Sequence, residues 1–130
     1  MTFRHVAITT ALLFMVLAVA WMFFPQQMLA QWGIEFSDGA GVMCRRGAAF
    51  YAGIAFILFM ARRVEQHSTQ VVLIQGMVTI CTILIILAIY ECITGHASYQ
   101  ILAAAVIELI IGLAFLYARN TPGKAKKISR

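Results

Sequence analysis

Few side chains in this chain could do chemistry, and the most conspicuous is Glu108. It is the only charged residue in the apolar run from Ile101 to Ala118. A carboxyl group inside such a run costs a few kcal/mol unless it is neutralised or paired, so it is by default a functional candidate. Its helical neighbours four residues away are Ala104 and Gly112, small residues that mark an inward face. Arg45 and Arg46 stand just before a second apolar run, Glu91 closes a third, and His96 follows it. If all of these lie at one end of a bundle, Arg46, Glu91 and Glu108, with Arg45 beside them, form a candidate polar pocket. Such a pocket would take a lipid headgroup, a small ligand or a proton. Simpler roles remain open. Glu108 in a buried pair or a hydrogen bond would merely fix helix register, arginines at a membrane boundary bind phosphates, and Glu91 and His96 suit an ordinary interface.

Other reactive types are present without the spacing that chemistry needs. Cys44, Cys81 and Cys92 contain no CxxC pair, which argues against both a disulfide scaffold and thiol redox work. Cys81 reads as a small apolar packing residue, while Cys44 and Cys92 fall near the same end, where a bridge is conceivable. His5, His67 and His96 sit at the ends of apolar runs, unlike histidines that clamp a haem between helices. No metal cluster, nucleophile motif, phosphate loop or dinucleotide fingerprint occurs. No catalytic residue, cofactor or metal is therefore expected.

The elements that must position Glu108 follow from composition. Of 130 residues, 62% are hydrophobic and only 12% charged, against roughly half and a quarter in soluble domains. A membrane-crossing helix needs about 20 apolar residues. Four stretches come close, with spans at about 6–24, 43–61, 71–91 and 100–118 and a basic tail at 119–130; the second is free of charge only from Gly47 to Ala61. The expected fold is all-α: one domain over residues 1–130, a four-helix transmembrane bundle. Arg4 before an apolar run resembles a secretory signal. The run nevertheless ends in Trp21, Phe23, Phe24 and Pro25, where a cleavage site needs small residues, so a retained helix is expected.

The connector after Pro25 places Met28, Leu29 and Trp32 at helical spacing, which predicts a short amphipathic segment lying in the interface. Trp21 and Trp32 would mark that interface. Ser37, Asp38 and Gly39 form the turn into the second span, with Asp38 as a candidate helix cap. Small residues supply packing faces: Ala7, Ala11 and Ala18 in the first span, and Ala48, Ala49, Ala52 and Gly53 in the second. Ala104, Ala105 and Gly112 do so in the fourth. Gln75, Thr79 and Thr82 give the third span a polar face able to bond across helices.

Orientation follows from the basic residues. All ten Lys and Arg except Arg45 and Arg46 lie on the side of the two termini, so both termini are expected in the cytoplasm. The net charge of +5 then reflects topology and anionic lipid headgroups. It does not indicate nucleic acid, because no aromatic-and-basic stripe accompanies it.

Residues 24–62, FPQQMLAQWGIEFSDGAGVMCRRGAAFYAGIAFILFMAR, resemble a pattern in small, uncharacterised bacterial membrane proteins related to the DoxX-like four-helix group. The pattern has a proline after the first helix and a short amphipathic connector ending in Gly-Ile. Arg-x-Gly-Ala then opens a Gly- and Ala-rich second helix closed by Arg. Here these elements are Pro25, Gly33, Ile34, Arg45, Gly47, Ala48, Gly53 and Arg62. The resemblance implies a four-helix bundle in the bacterial inner membrane and no catalytic residues.

The expected function is a non-enzymatic bundle that binds a lipid or a small apolar ligand, or serves as accessory subunit to a membrane complex. A homo-oligomer would use the same small-residue faces. The competing class is a small proton-coupled transporter in which Glu108 takes up and releases a proton. A membrane enzyme would need a second catalytic group facing Glu108, for which only Glu91 is available.

Overall fold

The computed structural model describes residues 2–121; Lys124, Lys126, Lys127 and Arg130 of the basic tail lie outside them. The element order is α1 (Phe3–Phe23), α2 (Pro25–Gln31), α3 (Asp38–Ala61), α4 (His67–Ile93) and α5 (Ile101–Asn120). Helices α1, α3, α4 and α5 are 21, 24, 27 and 20 residues long and apolar enough to cross a membrane. In a bilayer the backbone must satisfy its own hydrogen bonds, and among these residues helix is the only regular structure that does so. The protein is an all-α, multi-pass membrane protein built as a four-helix bundle with a short fifth helix at one end.

Three of the long helices begin earlier than the apolar runs, α1 at Phe3, α3 at Asp38 and α4 at His67. Hydropathy marks where hydrocarbon ends, whereas a helix continues until its backbone is capped. The start of α3 shows this. Its N-cap is Ser37, whose Oγ accepts from the Ala40 N–H at 3.1 Å, and not the expected Asp38. Asp38 is the first helical residue, where its charge complements the helix dipole. At the other end of α3, Arg62 is the C-cap. Its Nη1 donates to the Phe59 carbonyl, and its guanidinium lies 3.7 Å from the Phe59 ring centroid.

Pro25 opens α2 at a position where its missing N–H is not needed. The helix stops in a Schellman arrangement. Gly33 takes a positive φ of 70°, its N–H donates to the Ala30 carbonyl at 3.1 Å, and the Ile34 N–H donates to the Leu29 carbonyl at 3.0 Å. Leu29 and Ile34 share one apolar cluster, which supplies the hydrophobic contact of that motif. A Cβ on Gly33 would meet nothing closer than the Ser98 Cβ at 3.5 Å, so the requirement for glycine is conformational. Gly33→Ala is therefore expected to destabilise the protein by about 1 kcal/mol, read as a lowered thermal midpoint in detergent. The Ser98 N–H donates to the Trp32 carbonyl at 2.7 Å, tying the α4–α5 turn to the end of α2.

Helix α1 packs most extensively on α3 and α4 on α5, while α1 also touches α5 and joins the two pairs. Near the chain termini all four long helices share one core. Phe3, Ala7, Ala11 and Phe14 of α1 meet Ala55 and Leu58 of α3, Ile74 and Cys81 of α4, and Ile111 and Phe115 of α5. Toward the end that carries α2, this core divides. Trp21, Leu29 and Ala48 form one cluster, and Ala88, Ala97, Ile101 and Ala105 form another.

The small residues are used selectively. Ala7, Ala11, Ala18, Ala48 and Ala55 are buried, whereas Ala49 and Gly53 are exposed. Gly112 is buried, and a Cβ there would lie 3.5 Å from the Cys81 Cβ, so α4 and α5 approach closely at that level. The polar face of α4 does not bond across helices. The Thr79 and Thr82 hydroxyls donate to the Gln75 and Val78 carbonyls of their own helix at 2.8 and 2.7 Å.

Candidate functional site

The divided core leaves a cavity of about 400 Å³ at the α2 end, within the range of small-molecule sites. Four long helices and α2 all contribute. Phe14, Leu17 and Trp21 recur at helical spacing along α1, so one stripe forms a wall. Tyr51 of α3 meets Phe14 edge to face, with ring centroids 5.2 Å apart and planes at 85°. Trp32, just past α2, leans on Trp21 at 5.1 Å and 52°. Expected as interfacial markers, the two tryptophans line the cavity together, with Trp21 buried and Trp32 half-buried.

The opposite wall belongs to α4 and α5. Cys81 and Leu84 come from α4. Gln100, the N-cap of α5, and Ala104, Glu108 and Ile111 within it recur every three or four residues along one stripe, the spacing that keeps side chains on one helical face. Ala103 and Ile107, on the next stripe, also line the cavity and are exposed. The cavity therefore opens sideways along a membrane-crossing helix as well as near Gln31 and Gln100.

Glu108 is half-buried, and its Oε2 is buried without a hydrogen-bond partner. Buried polar atoms in native proteins are nearly always paired, so an orphan in a cavity wall calls for an explanation. Among the described residues, no Lys, Arg or His lines the cavity. Of the four residues expected to form a polar pocket, Glu108 alone reaches it. Arg45 and Arg46 are exposed, and neither lines the cavity nor pairs with Glu108. Arg46 lies two residues before the buried Ala48, hence about 160° around the helix from it. Glu91 is engaged locally, its Oε2 lying 2.9 Å from His96 Nδ1, with Thr94 Oγ1 at 3.1 Å from the same nitrogen. Such exposed pairs contribute little.

A residue that only fixed helix register would be missed on removal, whereas an unpaired buried carboxyl works against the empty protein. Glu108→Leu is accordingly expected to raise the free energy of unfolding by about 1–2 kcal/mol, measured by denaturant titration in micelles. A loss of similar size would instead mark Glu108 as structural.

Cys44, Cys81 and Cys92 are all free, and Cys81 is buried in the α4 wall of the cavity. Among the described residues no group of three His, Cys, Asp or Glu side chains could hold a metal ion. Sequence reasoning located Glu108 but missed the aromatic walls. Their only signal was the 14-17-21 spacing in α1, which looks the same whether it faces a core, a cavity or lipid.

Comparison of the chain with protein-family models, curated proteins and solved structures finds no match. What the fold and the cavity define is a class: a small multi-pass membrane bundle with an apolar chamber at one end.

Proposed function

We propose that this protein is a non-enzymatic bundle of the bacterial inner membrane that binds a small apolar or amphiphilic ligand in the α2-end cavity. Both termini lie in the cytoplasm, a reading that rests on the distribution of Lys and Arg. The observation that carries the function is the cavity itself, about 400 Å³ with predominantly apolar walls. Such a chamber suits a hydrocarbon or aromatic body with few polar groups. The exposed Ala103 and Ile107 on its rim favour a ligand arriving from the bilayer. The kinship with the DoxX-like group belongs to the same proposal and rests on the pattern in residues 24–62.

The only two tryptophans of the chain, Trp21 and Trp32, both line the cavity, so intrinsic fluorescence reports on its contents. Titrating the purified protein in maltoside micelles with 11-bromoundecanol, whose bromine quenches indole on contact, should give a saturable decrease. Quenching that rises only linearly, as micelle partitioning alone would produce, would overturn the reading.

A further inference from the structure

Resting on that reading, we propose that the ligand is a lipophilic organic monocation, with its charge at Glu108 and its apolar groups against the aromatic walls. A neutral apolar ligand would fill the volume and leave Glu108 Oε2 without a partner, prolonging an unfavourable burial. An anionic ligand would meet a carboxyl group with no Lys, Arg or His among the described residues of the walls to receive its charge. A cation with apolar substituents satisfies both features of the cavity. Its charge complements the carboxylate, and its substituents occupy the space between α1 and α5.

The aromatic residues strengthen this assignment. Phe14, Trp21, Trp32 and Tyr51 line the same chamber as Glu108, and ring faces attract cations, most strongly where water is excluded. Trp21–Trp32 and Phe14–Tyr51 are tilted or edge-to-face pairs, arrangements that leave ring faces free for a third group. At the mouth, Gln31 and Gln100 are polar and uncharged. A phosphocholine lipid also carries a quaternary ammonium, but its phosphate would enter a chamber whose described lining has no basic side chain. The free cation is therefore the better fit.

The test compares three probes on the full chain in maltoside micelles, each referred to its micelle-partitioned concentration and read by tryptophan fluorescence. Benzyltrimethylammonium is the cation, neopentylbenzene its neutral carbon isostere, and hexylphosphocholine the zwitterionic headgroup. The cation is expected to bind about tenfold tighter than either of the others. Glu108→Gln should reduce that preference severalfold while leaving the affinity for neopentylbenzene unchanged. Equal affinity for the cation and its isostere in the unaltered protein, or phosphocholine binding as tight as the cation, would overturn the monocation assignment. Either result leaves the apolar chamber standing. Absence of saturable binding by all three probes and by 11-bromoundecanol would remove the chamber as a binding site as well. Because the isostere comparison uses the unaltered protein, it holds even if Glu108→Gln fails to fold.

Discussion

Ala104→Phe is expected to weaken saturable binding of 11-bromoundecanol about tenfold to hundredfold, from the overpacking energies measured in filled cores. Ala104 lines the cavity one helical turn before Glu108 and is half-buried, so a phenyl ring there projects into space that a ligand would occupy. The substitution stays within apolar chemistry and adds no polar group needing a partner. Because the ring fills existing space, folding should tolerate it better than ligand binding does. Val106→Phe is the control. Val106 is exposed on the same helix and does not line the cavity, so binding should be unchanged. Equal losses in both variants would mean that the fluorescence change does not report the chamber.

Phe115→Ala is expected to cause the largest loss of stability, about 2–3 kcal/mol, without altering probe affinity. Phe115 is completely buried and packs edge-on to Phe3, with centroids 6.3 Å apart and planes at 60°, joining α5 to α1. In a soluble protein such a truncation costs about 3–5 kcal/mol, part of it the transfer of the ring from water. Here the separated helices would still sit in lipid, so that transfer term is absent. What remains is the void and its lost dispersion contacts, about 24 cal/mol for each Å³ left unfilled. The residue belongs to the shared core near the chain termini and does not itself line the cavity, although Phe14, Cys81 and Ile111 of that core do. Stability should therefore fall in an unfolding titration while ligand affinity holds. A parallel fall in affinity would show that the terminal core and the chamber are coupled.

Much of the fold was legible in the residues. The membrane-crossing segments could be read because long uninterrupted apolar runs have few other uses. Pro25 and the spacing of Met28, Leu29 and Trp32 announced α2. Capping was harder: Ser37 and Asp38 are adjacent and both are good caps, and only the backbone decides which one stands outside the helix. Thr79 and Thr82 were equally ambiguous, because a hydroxyl in a helix bonds its own carbonyl four residues back as readily as a neighbouring helix.

The candidate site was legible in one residue. Glu108 announces itself because a charge in hydrocarbon has no inexpensive resting place. Its proposed companions were chosen by level along the membrane normal, and level alone does not bring side chains together. Arg46 is turned away by the burial of Ala48, and Glu91 is held by His96 at the end of α4. Residues such as Phe14 and Tyr51 had no reason to stand out.

What the sequence by itself determined is that the chain forms four apolar helices long enough to span and a short helix after Pro25, because helix length and backbone satisfaction are local demands of the bilayer. Only the tertiary structure decided which face of each helix turns inward, and hence that Glu108 shares a chamber with four aromatic rings and, among the described residues, no arginine. In water, an amphipathic pattern would have revealed those faces. In lipid, apolar residues suit the outside as well as the core, so rotation about each helix axis is set by packing against the others.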